Sequence, residues 1–119
     1  MGEQAVPVEL EVDGLDPRCR HYLATFGGEA VGAARVLPQG ARAKIQRVAV
    51  SRAARGKGVG GAILRRILDD LAAEPEVAEA YLEAQTHALA FYEALGFVAE
   101  GEEFPDAGIP HRAMRKRLR

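Results

Sequence analysis

Residues 48–73 read VAVSRAARGKGVGGAILRRILDDLAA. An apolar, strand-like run enters this stretch and a helical pattern leaves it. Between them stand Arg55-Gly56-Lys57-Gly58-Val59-Gly60-Gly61, four glycines in seven residues. A helix start leaves about four backbone N–H groups without partners and carries a partial positive charge. Both favour an anion, and glycines remove the Cβ atoms that would hold an anion off those groups. Arg55 and Lys57 add full positive charge at the same place. A glycine-rich connection with no ligand is the plainer alternative, but two cations set among the glycines weigh against it. Sulfate, phosphate or pyrophosphate is the expected guest.

The rest of the chain supplies strands and helices around this loop. Residues 1–19, punctuated by Pro7, Gly14 and Pro17 and made acidic by Glu3, Glu9, Glu11, Asp13 and Asp16, read as loop or edge structure. HYLATF (21–26) and AVGAARVL (30–37) flank Gly27-Gly28, a hairpin signal. Pro38-Gln39-Gly40 reads as a turn, and AKIQRVAV (43–50) as the strand that enters the glycines. After them Ile63, Ile67, Leu68 and Leu71 fall on one helical stripe, which Pro75 stops. In AYLEAQ (80–85) Ala80, Leu82 and Ala84 alternate with Tyr81, Glu83 and Gln85. THALAFYEAL (86–95) predicts a second helix with Ala88, Leu89, Phe91, Tyr92 and Leu95 on its apolar side. Gly96 is its left-handed cap and Phe97 packs back over the last turn. A short strand at 97–100, a loop holding Pro105, Gly108 and Pro110, and a final strand HRAMRKRL with a basic, solvated edge complete the order. Strand–helix–strand units return parallel and hairpins antiparallel, so the expected class is α/β (α+β) with a mixed sheet.

A chain of 119 residues suits one domain, 1–119. With 16 basic and 17 acidic residues the net charge is 16 − 17 = −1, which argues against a nucleic-acid partner driven by bulk charge. No apolar run approaches the ~20 residues that span a bilayer. One cysteine, Cys19, cannot pair internally, and a reducing cytoplasm is the simplest setting. His21, His87 and His111 show no zinc-ligand spacing, so no metal is expected.

Two phosphate-binding fingerprints fit poorly. A nucleotide P-loop requires Ser or Thr after Gly-Lys, and Gly58 stands there. Gly56-Lys57-Gly58-Val59-Gly60-Gly61 contains Gly-x-Gly-x-x-Gly, with Glu83 downstream, but the preceding hairpin is not a dinucleotide-fold start. By contrast, Arg55-x-x-Gly58-x-Gly60 resembles the Arg/Gln-x-x-Gly-x-Gly/Ala loop of the GNAT N-acetyltransferases, which bind acetyl-coenzyme A. AQTHALAFYEALGF (84–97) is similar to that family's second signature, matching at Ala88, Phe91, Tyr92, Glu93, Gly96 and Phe97. ARVLP (34–38), GIPHRAM (108–114), VPVELEVDGLD (6–16) and HYLA (21–24) further resemble its ElaA-like branch. The resemblance implies a GNAT-like mixed, mostly antiparallel twisted sheet with helices packed on it. It also implies a first strand and helix absent from the front of this chain, an N-terminally shortened sheet whose exposed edge invites a homodimer.

What the resemblance implies chemically is transfer of acetyl from acetyl-CoA to a primary amine of a small molecule or peptide, by direct attack in a ternary complex. A catalytically silent CoA-binding module is the alternative. Arg55, Gly56, Lys57, Gly58, Val59, Gly60 and Gly61 would hold the pyrophosphate. Val48, Ala49 and Val50 would offer backbone groups to the pantetheine arm and thioester, and Ala88, Phe91 and Tyr92 would border the cofactor. Tyr92 is the general acid, because a phenol of pKa ~10 is protonated at neutral pH. Many relatives place a glutamate base where Gln46 stands, and Gln46 cannot take a proton. Glu83 is the nearest acidic candidate. His21, Glu83, Gln85 and His111 make up the expected acceptor pocket.

Overall fold

The computed structural model describes residues 8–13 and 18–119. The expectations placed on Glu3, Pro7, Gly14, Asp16 and Pro17 lie outside these residues. The strands are β1 (Glu9–Asp13), β2 (Arg20–Phe26), β3 (Glu29–Gln39), β4 (Arg42–Val50), β5 (Glu79–Gln85), β6 (Val98–Asp106) and β7 (Ile109–Arg117). The helices are α1 (Val59–Ala72) and α2 (Leu89–Glu93), and short 3-10 turns precede each at Arg52–Ala54 and Thr86–Ala88. Seven strands form one sheet in the order β1-β2-β3-β4-β5-β7-β6. Every neighbouring pair is antiparallel except β4 and β5, which run parallel because α1 carries the chain back between them. This is the mixed, mostly antiparallel sheet that the sequence predicts, and the acidic segment Glu9–Asp13 is an edge strand.

The expected stripe of α1, Ile63, Ile67, Leu68 and Leu71, is buried against the sheet, and Leu64 joins it. They pack over Tyr22, Ala24, Ala34, Val36, Ala43 and Ile45. Each large side chain so buried contributes about 1.5–3 kcal/mol relative to exposure. Tyr22 inside this layer donates its hydroxyl to Asp70 Oδ2 at 2.8 Å and receives Arg20 Nη1 at 3.3 Å. Burial, with Arg20 and Asp70 pulling in opposite directions, pushes the Tyr22 phenol up to about 12. Ala80, Leu82 and Ala84 of β5 are buried on the same side, as the alternation predicts.

Several local features differ from the sequence reading. Pro38 and Gln39 belong to β3, pairing with Ala43 and Arg42, and the turn falls at residues 40–41. The expected loop around Pro105 and Pro110 is a hairpin of β6 and β7 instead. Pro105 and Pro110 face each other near its tip, beyond the end of β5, where no third strand needs their missing N–H groups. Strand β7 is not a solvated edge but lies between β5 and β6. Two of its cations are occupied: Arg115 pairs with Glu79 and Glu100, and Lys116 Nζ donates to Leu95 O at 3.0 Å. Arg119 donates to the carbonyls of Ala72, Glu74 and Pro75 at the C-terminal end of α1, where a cation is favoured.

The second helix is short and shallow. None of its residues is buried, and Phe91, expected on the apolar side, is 41% exposed. Its ending is the predicted one. Gly96 has φ +98°, its N–H meets Glu93 O at 2.9 Å, and the Phe97 N–H meets Tyr92 O at 3.1 Å. The buried Phe97 ring then packs edge-on against Tyr92.

Candidate functional site

Strands β4 and β5 pair only through Arg42↔Glu79, Ala43↔Ala80 and Lys44↔Tyr81. Beyond those rungs both strands continue and separate. The cause sits in β4. Its register against β3 slips between Ala33↔Ala49 and Arg35↔Gln46, and Arg47 takes a left-handed φ of +55°. The extra residue is a bulge, and it exchanges the faces of the strand. Ala43 and Ile45 point into the core before it, and Val48 and Val50 pack against the core after it.

The divergence opens a cleft of about 890 Å³. Gln46, Val48, Ala49 and Val50 line one wall, and Glu83, Gln85, Ala88 and Tyr92 the other. His111 and Asp106 lie across the sheet from them, and Arg55 marks the end where the glycine loop begins. These sequence-predicted residues, from elements far apart in the chain, are thus brought together. Phe91 and residues 56–61 are not in the lining of the cleft, and neither is His21. It lines an adjoining hollow with Glu11, Asp13 and Arg35, and Arg47 is common to both spaces. Lys44, Arg47 and Asp106 were absent from the sequence reading. Nothing in IQRVAV marks Arg47 as a bulge, since the usual signal, a glycine, is missing.

At the open end, Gly56 and Gly58 take φ of +78° and +79°, and Gly58 caps α1. No side chain caps the helix start, and its first turn holds no acidic residue. The amides of Val59, Gly60 and Gly61 therefore have no helical acceptor. Among the described residues neither Arg55 nor Lys57 makes an ion pair. Arg55 Nε reaches Val50 O at 3.4 Å, which folds the guanidinium over the end of β4. Uncapped amides, unpaired cations and missing Cβ atoms fit a diphosphate.

Inside the cleft, burial raises the Tyr92 phenol above its usual value, so it stays protonated throughout the neutral range. Tyr22 and Tyr81 spend their hydroxyls on Asp70 and Glu83, while the Tyr92 hydroxyl has no protein partner among the described residues. The ring is held edge-on by Phe91 and Phe97, at centroid distances of 4.9 and 6.0 Å. Glu83 is engaged by Tyr81 at 3.2 Å and by Lys44 at 3.7 Å. His111, 9% exposed and stacked on Phe104, donates Nδ1–H to Ile109 O at 2.7 Å. A carbonyl only accepts, so this bond leaves Nε2 of the neutral ring as an acceptor. Among the described residues no three His, Cys, Asp or Glu side chains cluster closely enough to hold a metal. No helix there is long and apolar enough to cross a membrane.

The sequence matches the family model of the acetyltransferase (GNAT) domain over residues 3–118. The chain belongs to the GNAT acetyltransferase family. Among its GNAT relatives, the uncharacterized N-acetyltransferase YjcF of Bacillus subtilis is 39% identical over 115 residues, which are 96% of this chain and 81% of that protein. The crystal structure of Escherichia coli ElaA superposes with a TM-score of 0.75 at 33% identity, covering 82% of this chain and 68% of that one. An acyl-CoA N-acyltransferase from Pseudomonas aeruginosa gives a TM-score of 0.76 at 35% identity, covering 87% and 73%. The GNAT fold expected from the motifs is therefore the fold observed.

Proposed function

We propose that the chain, as one domain, is an N-acetyltransferase that moves the acetyl group of acetyl-CoA directly to a primary amine in a ternary complex. One observation carries this reading. An uncapped, glycine-opened helix start follows Arg55, a cation without an ion pair at the end of a cleft whose interior holds a protonated, unpartnered phenol.

The donor supplies an acetyl thioester, and the remaining work belongs to the chain. The Val59, Gly60 and Gly61 amides, with Arg55, Gly56, Lys57 and Gly58 around them, bind the pyrophosphate. Backbone of Val48, Ala49 and Val50, beyond the last β4–β5 rung, binds the pantetheine arm, and a β4 N–H near Val50 polarises the thioester carbonyl. A donor of that kind is worth ~3 kcal/mol in the transition state. Ala88 and Phe91 border the cofactor. As the amine nitrogen bonds to the carbonyl carbon and the C–S bond breaks, Tyr92 Oη delivers its proton to sulfur. The amine gives up a proton to water or to His111 Nε2, since Gln46 accepts none and Glu83 is engaged by Lys44 and Tyr81. Gln85 and His111 face the acceptor, with His21 at its remote end. The acceptor is a small molecule or peptide amine, no metal takes part, and the protein works in the cytoplasm, apart from nucleic acid and membrane, as a homodimer through a sheet edge.

The test is release of free thiol from acetyl-CoA against a panel of amines, beside calorimetric titration with CoA. Amine-dependent thiol release is the expected result. Binding without turnover across the panel leaves a silent CoA-binding module, and absence of CoA binding overturns the reading altogether.

A further inference from the structure

Gln46 stands directly opposite Arg35 in the β3–β4 ladder. Arg35 Nε and Nη2 both donate to Gln46 Oε1, at 3.1 and 2.8 Å. A guanidinium carries donors only. The carboxamide oxygen must therefore face Arg35, and the amide NH2 must face away from it. Gln46 lines the cleft, and its NH2 has no protein partner among the described residues. The chain has thus fixed a hydrogen-bond donor, in one orientation, at a position where it has no basic group to offer.

Charges of both signs surround that donor. On the β3–β4 side Arg35 backs Gln46, and Arg47 lines both the cleft and the adjoining hollow, where Glu11 and Asp13 also stand but do not line the cleft. On the opposite side stand Glu83 and Asp106, with the Glu83 charge partly met by Lys44. Within the cleft a ligand meets the Gln46 donor and Arg47 on the β4 wall, and Glu83 and Asp106 on the other.

Resting on the transferase reading, we infer that Gln46 is a specificity-determining residue and that the acceptor is an amine carrying a carboxylate a few atoms from its nitrogen. The carboxylate accepts from Gln46 Nε2 and faces Arg47, and the amine turns toward Glu83 and Asp106. Arg35 touches no substrate; it is the positioning residue that holds the Gln46 amide. A fixed polar pair of this kind discriminates strongly, because a ligand lacking its partner leaves a desolvated donor unpaired.

The experiment uses the CoA-loaded protein and product-like probes: N-acetylglycine, N-acetylglycinamide and N-methylacetamide. Binding is followed by nuclear magnetic resonance of nitrogen-labelled protein, with the Gln46 side-chain NH2 as reporter. N-acetylglycine should bind at least about tenfold more tightly than either neutral probe and should shift the Gln46 NH2 resonances. Gln46→Glu keeps the shape and the Arg35 partnership, but replaces the donor with a negative charge, and should abolish that preference. Equal binding of the three probes, failure of all three at millimolar concentration, or unmoved Gln46 resonances would overturn the inference. N-acetylglycinamide binding as tightly as N-acetylglycine would also overturn it, since a neutral carbonyl would then suffice. CoA titrated into the same sample keeps the two ideas apart. CoA binding without probe discrimination removes only the Gln46 assignment, whereas failure of CoA itself removes the transferase reading.

Discussion

Replacing Gly58 by Asp should destroy cofactor capture while leaving the protein folded. Gly58 caps α1 at φ +79°, a conformation that costs most residues about 1–2 kcal/mol, with Asp among the few that tolerate it. A carboxylate at the positive end of a helix returns ~0.3–1 kcal/mol. The net change in stability is about 1 kcal/mol or less, a fall of roughly 3–6 °C in melting temperature for a chain of this size. Binding suffers far more. Each charge-assisted hydrogen bond from a first-turn amide to a phosphate is worth about 1.5–3 kcal/mol. Losing even one lowers affinity by ~10- to 100-fold, and like-charge repulsion adds to it. Thermal melts with and without CoA, paired with calorimetry, read both quantities on one sample. A variant that melts near the parent and still binds CoA with parental affinity would refute the anion site at the head of α1. A collapse of the melt by tens of degrees would refute the backbone argument instead.

Tyr92→Phe should lower turnover by about 10²- to 10⁴-fold and spare CoA affinity, because the hydroxyl has no protein partner to lose. An unchanged rate of thiol release removes Tyr92 from the mechanism. Since burial raises the Tyr92 phenol, its ionisation should impose no alkaline limb on kcat below about pH 10, which a pH–rate profile checks. Gly60→Ala should raise the melt, because the added Cβ meets Phe91 and Val50 at an ordinary 3.6 Å and the helix gains ~0.5–1 kcal/mol. CoA affinity should survive, since the Gly60 N–H is retained and the added Cβ packs against Phe91 and Val50. Tyr22 should make stability fall in alkali. Its folded-state value near 12 lies above the unfolded value of about 10, so its contribution is complete below pH ~10 and lost as the pH rises toward 12. The loss is on the order of 2–3 kcal/mol, and denaturant melts at either end of that window should show a smaller drop for Tyr22→Phe.

The strand alternation of Ala80, Leu82 and Ala84, the stripe of α1, the Gly27-Gly28 turn and the Gly96 cap were all legible because each is a local pattern with a local cause. The helix start among the glycines was legible for the same reason, with α1 under way from Val59. What escaped depends on partners distant in sequence. The prolines of β6 and β7 read as loop until each has the other to face, at the end of the sheet. The basic C-terminal run reads as solvated until Glu79, Glu100 and the end of α1 are brought against it. Phe91 reads as core from helical spacing, but a helix of five residues has too little depth to bury it. The bulge at Arg47 carries no glycine or proline to announce it, and with it went the placement of His21 and the orientation of Gln46.

That bulge has a wider consequence for how the sheet meets its surroundings. Proteins usually shield or blunt the rim of a sheet, because main-chain groups without partners there recruit foreign strands. Here a stretch of such a rim lies indoors, between two strands that touch at one end and part at the other. On the function proposed above, a thin, extended molecule bearing amides of its own slides into that slot and completes the weave. On that reading, the polarity that elsewhere courts aggregation is set to work as a socket.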